Sequence, residues 1–199
     1  MTRPRLPLLL QGFMGAGKST TGRLVAARAG VPFVDLDAQI EARAGTSVAA
    51  LFATQGEAAF RALEAEELQR LLDDRRPQVV ALGGGALLDQ ARRRAALGRA
   101  FVLTLAASPA TLVARTAGET RPLLAGPEGR LTRIEALLAQ RAEAYAEAHA
   151  HVTTDDRSPE AVAEAVLAAW DRPTLAVLLG VRSYAVRFVQ ADPRAVAAA

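Results

Sequence analysis

The chain has 199 residues, room for one domain with a substantial core; it is 51% hydrophobic but 5% aromatic, so that core must be Ala, Leu and Val. It has no cysteine, which excludes disulfides, thiolate catalysis and Cys-based zinc sites and suits the cytoplasm. The net charge of +3 comes from arginines spread along the chain, with the densest runs, Arg75-Arg76 and Arg92-Arg93-Arg94, expected beside acids or on a solvated helix face, so no nucleic-acid footprint is expected.

The first predicted element is a buried strand at Leu6 to Gln11, a short apolar run. The run is too short for a signal peptide, and no other run approaches a membrane span. It leads directly into Gly12-Phe-Met-Gly15-Ala16-Gly17-Lys18-Ser19-Thr20, which fits G-x-x-x-x-G-K-[ST]. A helix through Leu24, Val25 and Ala27 follows and stops at Gly30. Pro32 to Asp37 reads as a second strand ending in two acids. Gln39 to Ala44 and Ser47 to Ala53 read as short helices broken at Gly45, with Ser47 as an N-cap. Glu57 to Asp73 is a longer amphipathic helix. Gln78 to Leu82 is a third strand running into Gly83-Gly84-Gly85, and Arg99 to Ala106 a fourth. Ser108-Pro109 opens a helix that fades near Gly118. Gly118 to Arg130 reads as a mobile loop. Thr132 to His149 is helical, His151 to Thr154 a short strand, and Ser158-Pro159 opens a last helix to Trp170. Alternating strands and helices predict a three-layer α/β/α fold around a parallel sheet.

The chemistry begins with Lys18, the sole lysine of the chain. A loop that wraps a phosphate chain needs a compact ammonium on a flexible stem, where a flat guanidinium fork fits poorly. Backbone N–H groups of such a loop cradle phosphates, the Ser19 hydroxyl meets Mg²⁺, and the following helix adds its positive end. Asp35 and Asp37 stand two apart at the carboxyl end of a predicted strand, where ligands of open α/β sheets bind. Strand alternation would aim them differently, one toward metal and one toward an acceptor hydroxyl. Arg61 and Glu64 share a helix face, as do Arg141 and Tyr145. Three glycines after a strand make sense where a ligand must approach backbone N–H groups.

The ordered set of phosphate loop, Asp35-x-Asp37, Phe60-Arg61-x-x-Glu64, Gly83-Gly84-Gly85, Arg121-Pro122-Leu-Leu and Arg141-x-x-x-Tyr145 resembles the shikimate kinase family over Leu8 to Trp170. The resemblance implies a P-loop kinase with a five-stranded parallel sheet, substrate-binding helices and a mobile lid. It would transfer the γ-phosphate of ATP to the 3-hydroxyl of shikimate, with Mg²⁺, as a cytoplasmic monomer. Gly12, Gly15, Ala16, Gly17, Lys18, Ser19 and Thr20 would hold ATP, with Arg115, Arg157 and Pro159 near the adenine. Ser19 and Asp35 would serve the metal. Asp37 would hold shikimate hydroxyls and accept the proton of the attacking one. Arg61 and Arg141 would clamp the carboxylate, aided by Gly83, Gly84 and Gly85. Arg121 would close with the lid onto the transferring phosphoryl, giving Lys18, Asp37 and Arg121 as the catalytic set. The chain departs from the family pattern at Leu82, where a hydroxyl is common, and at Glu143, where Pro is common.

Residues 1–171 form the expected kinase domain and 172–199 a tail. In the tail, Thr174 to Gly180 and Ser183 to Val189 predict a β-hairpin that resembles the opening of 3-dehydroquinate synthase. The tail is assigned no catalysis. Two other functions fit parts of the pattern. Another small-molecule P-loop kinase, for a sugar acid or nucleotide, would not need the Asp37, Arg61 and Arg141 set. A non-catalytic ATP-binding regulatory module would need neither Asp37 nor Arg121.

Overall fold

The computed structural model describes residues 6–117, 124, 129–171, 174–177 and 183–187. Five strands form one parallel sheet: β1 (Leu8–Gln11), β2 (Phe33–Asp35), β3 (Val79–Ala81), β4 (Phe101–Ala106) and β5 (Ala150–Thr153), in the order β2-β3-β1-β4-β5. Leu8 pairs with Val79 on one side and Phe101 on the other, so the strand feeding the phosphate loop lies at the sheet centre. Its side chains alternate between two cores. Leu8 and Leu10 join a cluster with Val25, Leu112, Ile134 and Val166, while Leu9 joins Ile40, Leu68 and Val102 on the opposite face. Helices therefore cover both faces, as the continuous apolar strands require.

Local chemistry sets where each helix begins. Helix α1 (Lys18–Ala29) starts at Gly17, whose φ of 92° only glycine adopts readily, and stops at Gly30 in the same left-handed region. Helix α2 (Leu36–Ala44) starts when the Asp35 carboxylate accepts the Ala38 N–H, at 3.5 Å. Here the structure corrects the sequence expectation. The second strand ends at Asp35 and Asp37 lies in the first turn of α2, so the two carboxylates are separated by a cap rather than by strand alternation.

Helix α3 (Val48–Asp73) is capped by Ser47, which accepts the Ala50 N–H, and is broken in the middle by Gly56, φ 81° and ψ 172°. The two segments expected there are both present, joined end to end. Helix α4 (Gln90–Arg99) is capped by Asp89 and includes Arg99, which had been read as strand. Helices α5 (Pro109–Thr116) and α7 (Pro159–Trp170) share one device, a Ser N-cap followed by Pro. Helix α6 (Arg130–Ala146) completes the layer. Its last turn ends before His149, which bonds to β4 through both its N–H and its ring. In the tail, β6 (Thr174–Val177) and β7 (Tyr184–Arg187) form an antiparallel pair separate from the main sheet. No described helix is long and apolar enough to cross a membrane.

Candidate active site

A cavity of about 1020 Å³ opens at the carboxyl ends of the strands. At one end are Gly15 to Thr20, with Arg115, Arg157 and Pro159. At the other are Asp37, Phe60, Arg61, Glu64, Gly83 to Gly85 and Arg141, with Asp35 between. The structure thus brings together residues from β1 to α7 that the sequence had offered separately. Gly12 is the exception and does not line the cavity. A side chain there would stand 2.2 Å from the Leu105 carbonyl, and its φ is 138°, so glycine serves the packing of the loop against β4. Arg121 and Pro122 lie outside the described residues.

At the end around Gly15 to Thr20, the loop is held by its own atoms. Lys18 Nζ donates to the Gly12 and Phe13 carbonyls at 3.0 and 2.9 Å. The α1 N-terminus opens beside it, leaving amide N–H groups and a positive helix end for an anion. Ser19 Oγ donates to Asp35 Oδ2 at 2.7 Å, which sets a hydroxyl and a carboxylate side by side. Arg115 donates to the Thr154 hydroxyl and carbonyl at 2.9 and 2.8 Å, tying α5 to the end of β5 at the cavity wall. Asp155 fastens the start of α5 by accepting from Thr111 and from the Ser108 N–H and hydroxyl, which together hold its carboxyl down to about 2. The chain order gave no sign of this contact, because its members are 44 to 47 residues apart.

The end around Asp37, Arg61 and Arg141 is built from charged side chains. Arg61 Nη1 donates to Glu64 Oε2 at 2.7 Å, and its Nη2 donates to Glu57 at 3.1 Å. Glu64 has no exposed surface, so this is no solvated surface pair. Burial, joined by the charge of Asp37, pushes the Glu64 carboxyl up against the pull of Arg61. Burial also opposes the Arg61 charge, but Glu64 and Glu57 outweigh it and the guanidinium is held charged. The two shifts differ because desolvation falls harder on the fully covered carboxylate than on the guanidinium, a quarter of which reaches water. Glu64 Oε1 is buried without a hydrogen-bond partner among the described residues. Opposite, the buried Arg141 lies over the Phe13 ring and donates to the Gly84 carbonyl at 3.2 Å. Tyr145 donates to the same carbonyl at 2.7 Å, and burial raises its pKa, which keeps the hydroxyl a donor.

The three glycines are needed for the packing of the side chains around them. None of them has a positive φ. A Cβ on Gly83 would stand 2.6 Å from Glu64 Oε1 and 3.0 Å from Asp37 Oδ1; on Gly84, 3.1 Å from Arg141; on Gly85, 2.7 Å from Arg61. The glycines make space for four charged side chains to crowd one turn of backbone.

The Arg92 to Arg94 run meets its expectation in two different ways. Arg94 is exposed, but Arg93 is buried and not on a solvated face. It pairs with Glu147 at 2.6 Å. The helical phase was the available signal, since Arg93 shares the spacing of Ala96 and Ala100, both fully buried. Leu82, at the family's hydroxyl position, is buried, and Glu143, at its proline position, reaches Arg93 at 3.4 Å.

The model of the family described as shikimate kinase matches residues 14–171. A shikimate kinase of Salinibacter ruber is 49% identical over 164 residues, covering 77% of this chain and 78% of that one. The structure of a shikimate kinase from Acinetobacter baumannii in complex with shikimate superposes with a TM-score of 0.77 at 32% identity, over 82% of this chain and 91% of that one. A gluconokinase from Sinorhizobium meliloti has a TM-score of 0.53 at 20% identity, covering 84% of this chain and 93% of that one, which shows a shared fold alone. By the match to the family model over residues 14–171 and the identity to its members, the chain belongs to the shikimate kinase family.

Proposed function

We propose that the chain transfers the γ-phosphoryl group of ATP to the 3-hydroxyl of shikimate, giving shikimate 3-phosphate. The observation that carries this reading is the single cavity joining the phosphate loop to a crowded set of two arginines and two carboxylates. The ATP phosphates rest on the Gly15 to Thr20 loop, where N–H groups and Lys18 meet their charge. Arg115, Arg157 and Pro159 border the adenine end of the same cavity. The oxygens of Ser19 and Asp35 fit a hard cation such as Mg²⁺, which takes one or two protein oxygens and completes its shell with water and phosphate. Bound with ATP, Mg²⁺ would neutralise phosphate charge.

At the acceptor end, Arg61 and Arg141 face a planar carboxylate, which a guanidinium fork grips well. Asp37 accepts the proton of the attacking hydroxyl, and its place in the first turn of α2 puts it at the cavity wall beside Gly83. Arg121 carries charge on the transferring phosphoryl, the role that the family resemblance gives it. The kinase unit is residues 1–171, supported by a family match that stops at Asp171, with 172–199 as a non-catalytic tail. The unit works as a monomer in the cytoplasm.

A coupled assay of ADP release tests this reading, with shikimate, gluconate and a nucleoside monophosphate offered as acceptors. Turnover with shikimate at least about a hundredfold above the others is expected, since a site built for specific polar groups rejects ligands that leave them unpaired. Equal turnover, or a preference for gluconate, would overturn it.

A further inference from the structure

Both clamp arginines meet the glycine turn, yet they come from distant elements. Arg61 on α3 lies against Gly85, and Arg141 on α6 bonds to Gly84. The distance between them therefore depends on how the turn is set against α6. Two overlapping turns extend the glycines rigidly into the next residues, with Ala86 N–H donating to the Gly83 carbonyl and Leu88 N–H to that of Gly85. Arg93 then gathers this segment. Its Nη1 donates to the Leu87 and Leu88 carbonyls, both at 2.9 Å. Its Nε donates to Glu147 Oε2 at 2.6 Å, and Nη2 reaches Glu143 at 3.4 Å. Glu147 is the residue that caps the end of α6, the helix that carries Arg141 and Tyr145. Gln11, at the end of β1, holds the Ala144 and Glu147 carbonyls in turn.

Arg93 itself lines no part of the cavity and is 2% exposed. We infer that Arg93 is a positioning residue for the acceptor site, locking the glycine turn to the end of α6 and so setting the span between Arg61 and Arg141. A guanidinium suits this task, because a planar fork bonds two carbonyls and a carboxylate at once, which a lysine ammonium cannot match in reach or direction. The inference rests on the carboxylate clamp proposed above.

The test is steady-state kinetics on Arg93→Lys and Glu147→Gln, with Arg141→Ala as the reference and a melting curve for each protein. Arg93→Lys should raise KM for shikimate about tenfold, in line with the cost of displaced binding groups, and leave kcat and KM for ATP within about twofold. Glu147→Gln should shift shikimate KM the same way by about threefold, because the neutral amide still accepts one bond. If Arg93→Lys does not fold, Glu147→Gln decides by the same split. A lowered Tm with unchanged shikimate KM in a folded variant would show scaffolding alone and overturn the inference. So would equal increases for both substrates. If Arg141→Ala also leaves shikimate KM unchanged, the clamp is at fault; if only Arg141→Ala raises it, the positioning role alone fails.

Discussion

The two ends of the cavity are made in different ways. The proposed nucleotide end centres on one contiguous stretch, Gly15 to Thr20, whose groups are backbone amides, a helix terminus and a lysine held by its own loop, with Arg115, Arg157 and Pro159 completing the wall. The proposed acceptor end draws on α2, α3, the turn after β3 and α6, and its groups are side-chain charges kept in place by buried contacts. Their glycines differ accordingly. Gly12, Gly15 and Gly17 have positive φ, and a side chain at Gly12 would strike backbone. Gly83 to Gly85 have ordinary φ, and side chains there would strike Glu64, Arg141 and Arg61. A backbone cradle recognises any phosphate chain, whereas a set of side-chain charges can distinguish acceptors.

The largest expected effect breaks the nucleotide end. Lys18→Arg keeps the charge but replaces a compact ammonium with a wide fork between the Gly12 and Phe13 carbonyls. Turnover at saturating substrates should fall by about a hundredfold or more, the scale of losing one preorganised donor. Activity within about threefold of wild type would show that charge suffices there.

Next comes Arg141→Ala, which should weaken shikimate binding by about 2 kcal/mol or more, roughly thirtyfold, and leave ATP binding near wild type. Calorimetric titration with each ligand separates the two. A defect confined to ATP would mean that the two ends of the cavity have been assigned in reverse.

Gly85→Ala sharpens the contrast between the glycines. The new methyl meets the far end of the Arg61 side chain, which can swing aside, so the fold survives. Shikimate KM should rise about tenfold, or ~1.4 kcal/mol, with Tm changed by no more than about 3 °C. A large loss of Tm with unchanged KM would show that the turn itself, and not Arg61, needs the glycine.

The smallest effect is on stability against pH, and it lies outside both ends. His149 is buried, and its Nδ1 accepts the Val102 N–H at 3.0 Å, continuing the β4–β5 pairing by one residue. Burial lowers its pKa, since the charged ring would lose its water. Below about pH 6.5 the unfolded chain therefore takes up a proton that the folded one resists, and stability is lost as pH falls toward the folded value. Above that point the contribution is complete. Tm should drop by at most a few degrees between about pH 7.5 and 5.5 on this account, and His149→Asn, which keeps an acceptor but does not titrate, should flatten that part of the curve. An unchanged slope in the variant would assign the pH response elsewhere.

Much was legible because it is local in the chain. The phosphate loop, its following helix and the caps at Ser47, Ser108 and Ser158 depend on neighbours within a few residues, and the structure has them where the sequence points. The five strands follow from apolar runs between turn signals, and errors fall at their ends, as with Asp37 and Arg99. At both places a side-chain or backbone cap decides whether the chain is strand or helix, and propensity does not resolve that choice. The order of motifs likewise pointed to the family whose model matches the chain.

What required the tertiary structure is everything set by burial between distant residues. Helical phase sets Arg93 apart from its exposed neighbour Arg94, but its partner Glu147, 54 residues away, is brought to it only by the fold. The raised carboxyl of Glu64 depends on complete removal from water beside Arg61 and Asp37, which no spacing reveals. The glycine turn reads in the sequence as freedom of the backbone, but in the fold it is space for charges arriving from three helices. Local hydrogen bonds and periodicity act over a few residues and are written in order along the chain. Desolvation and charge pairing act across space, and their partners are determined only once the sheet and both its helical layers have closed.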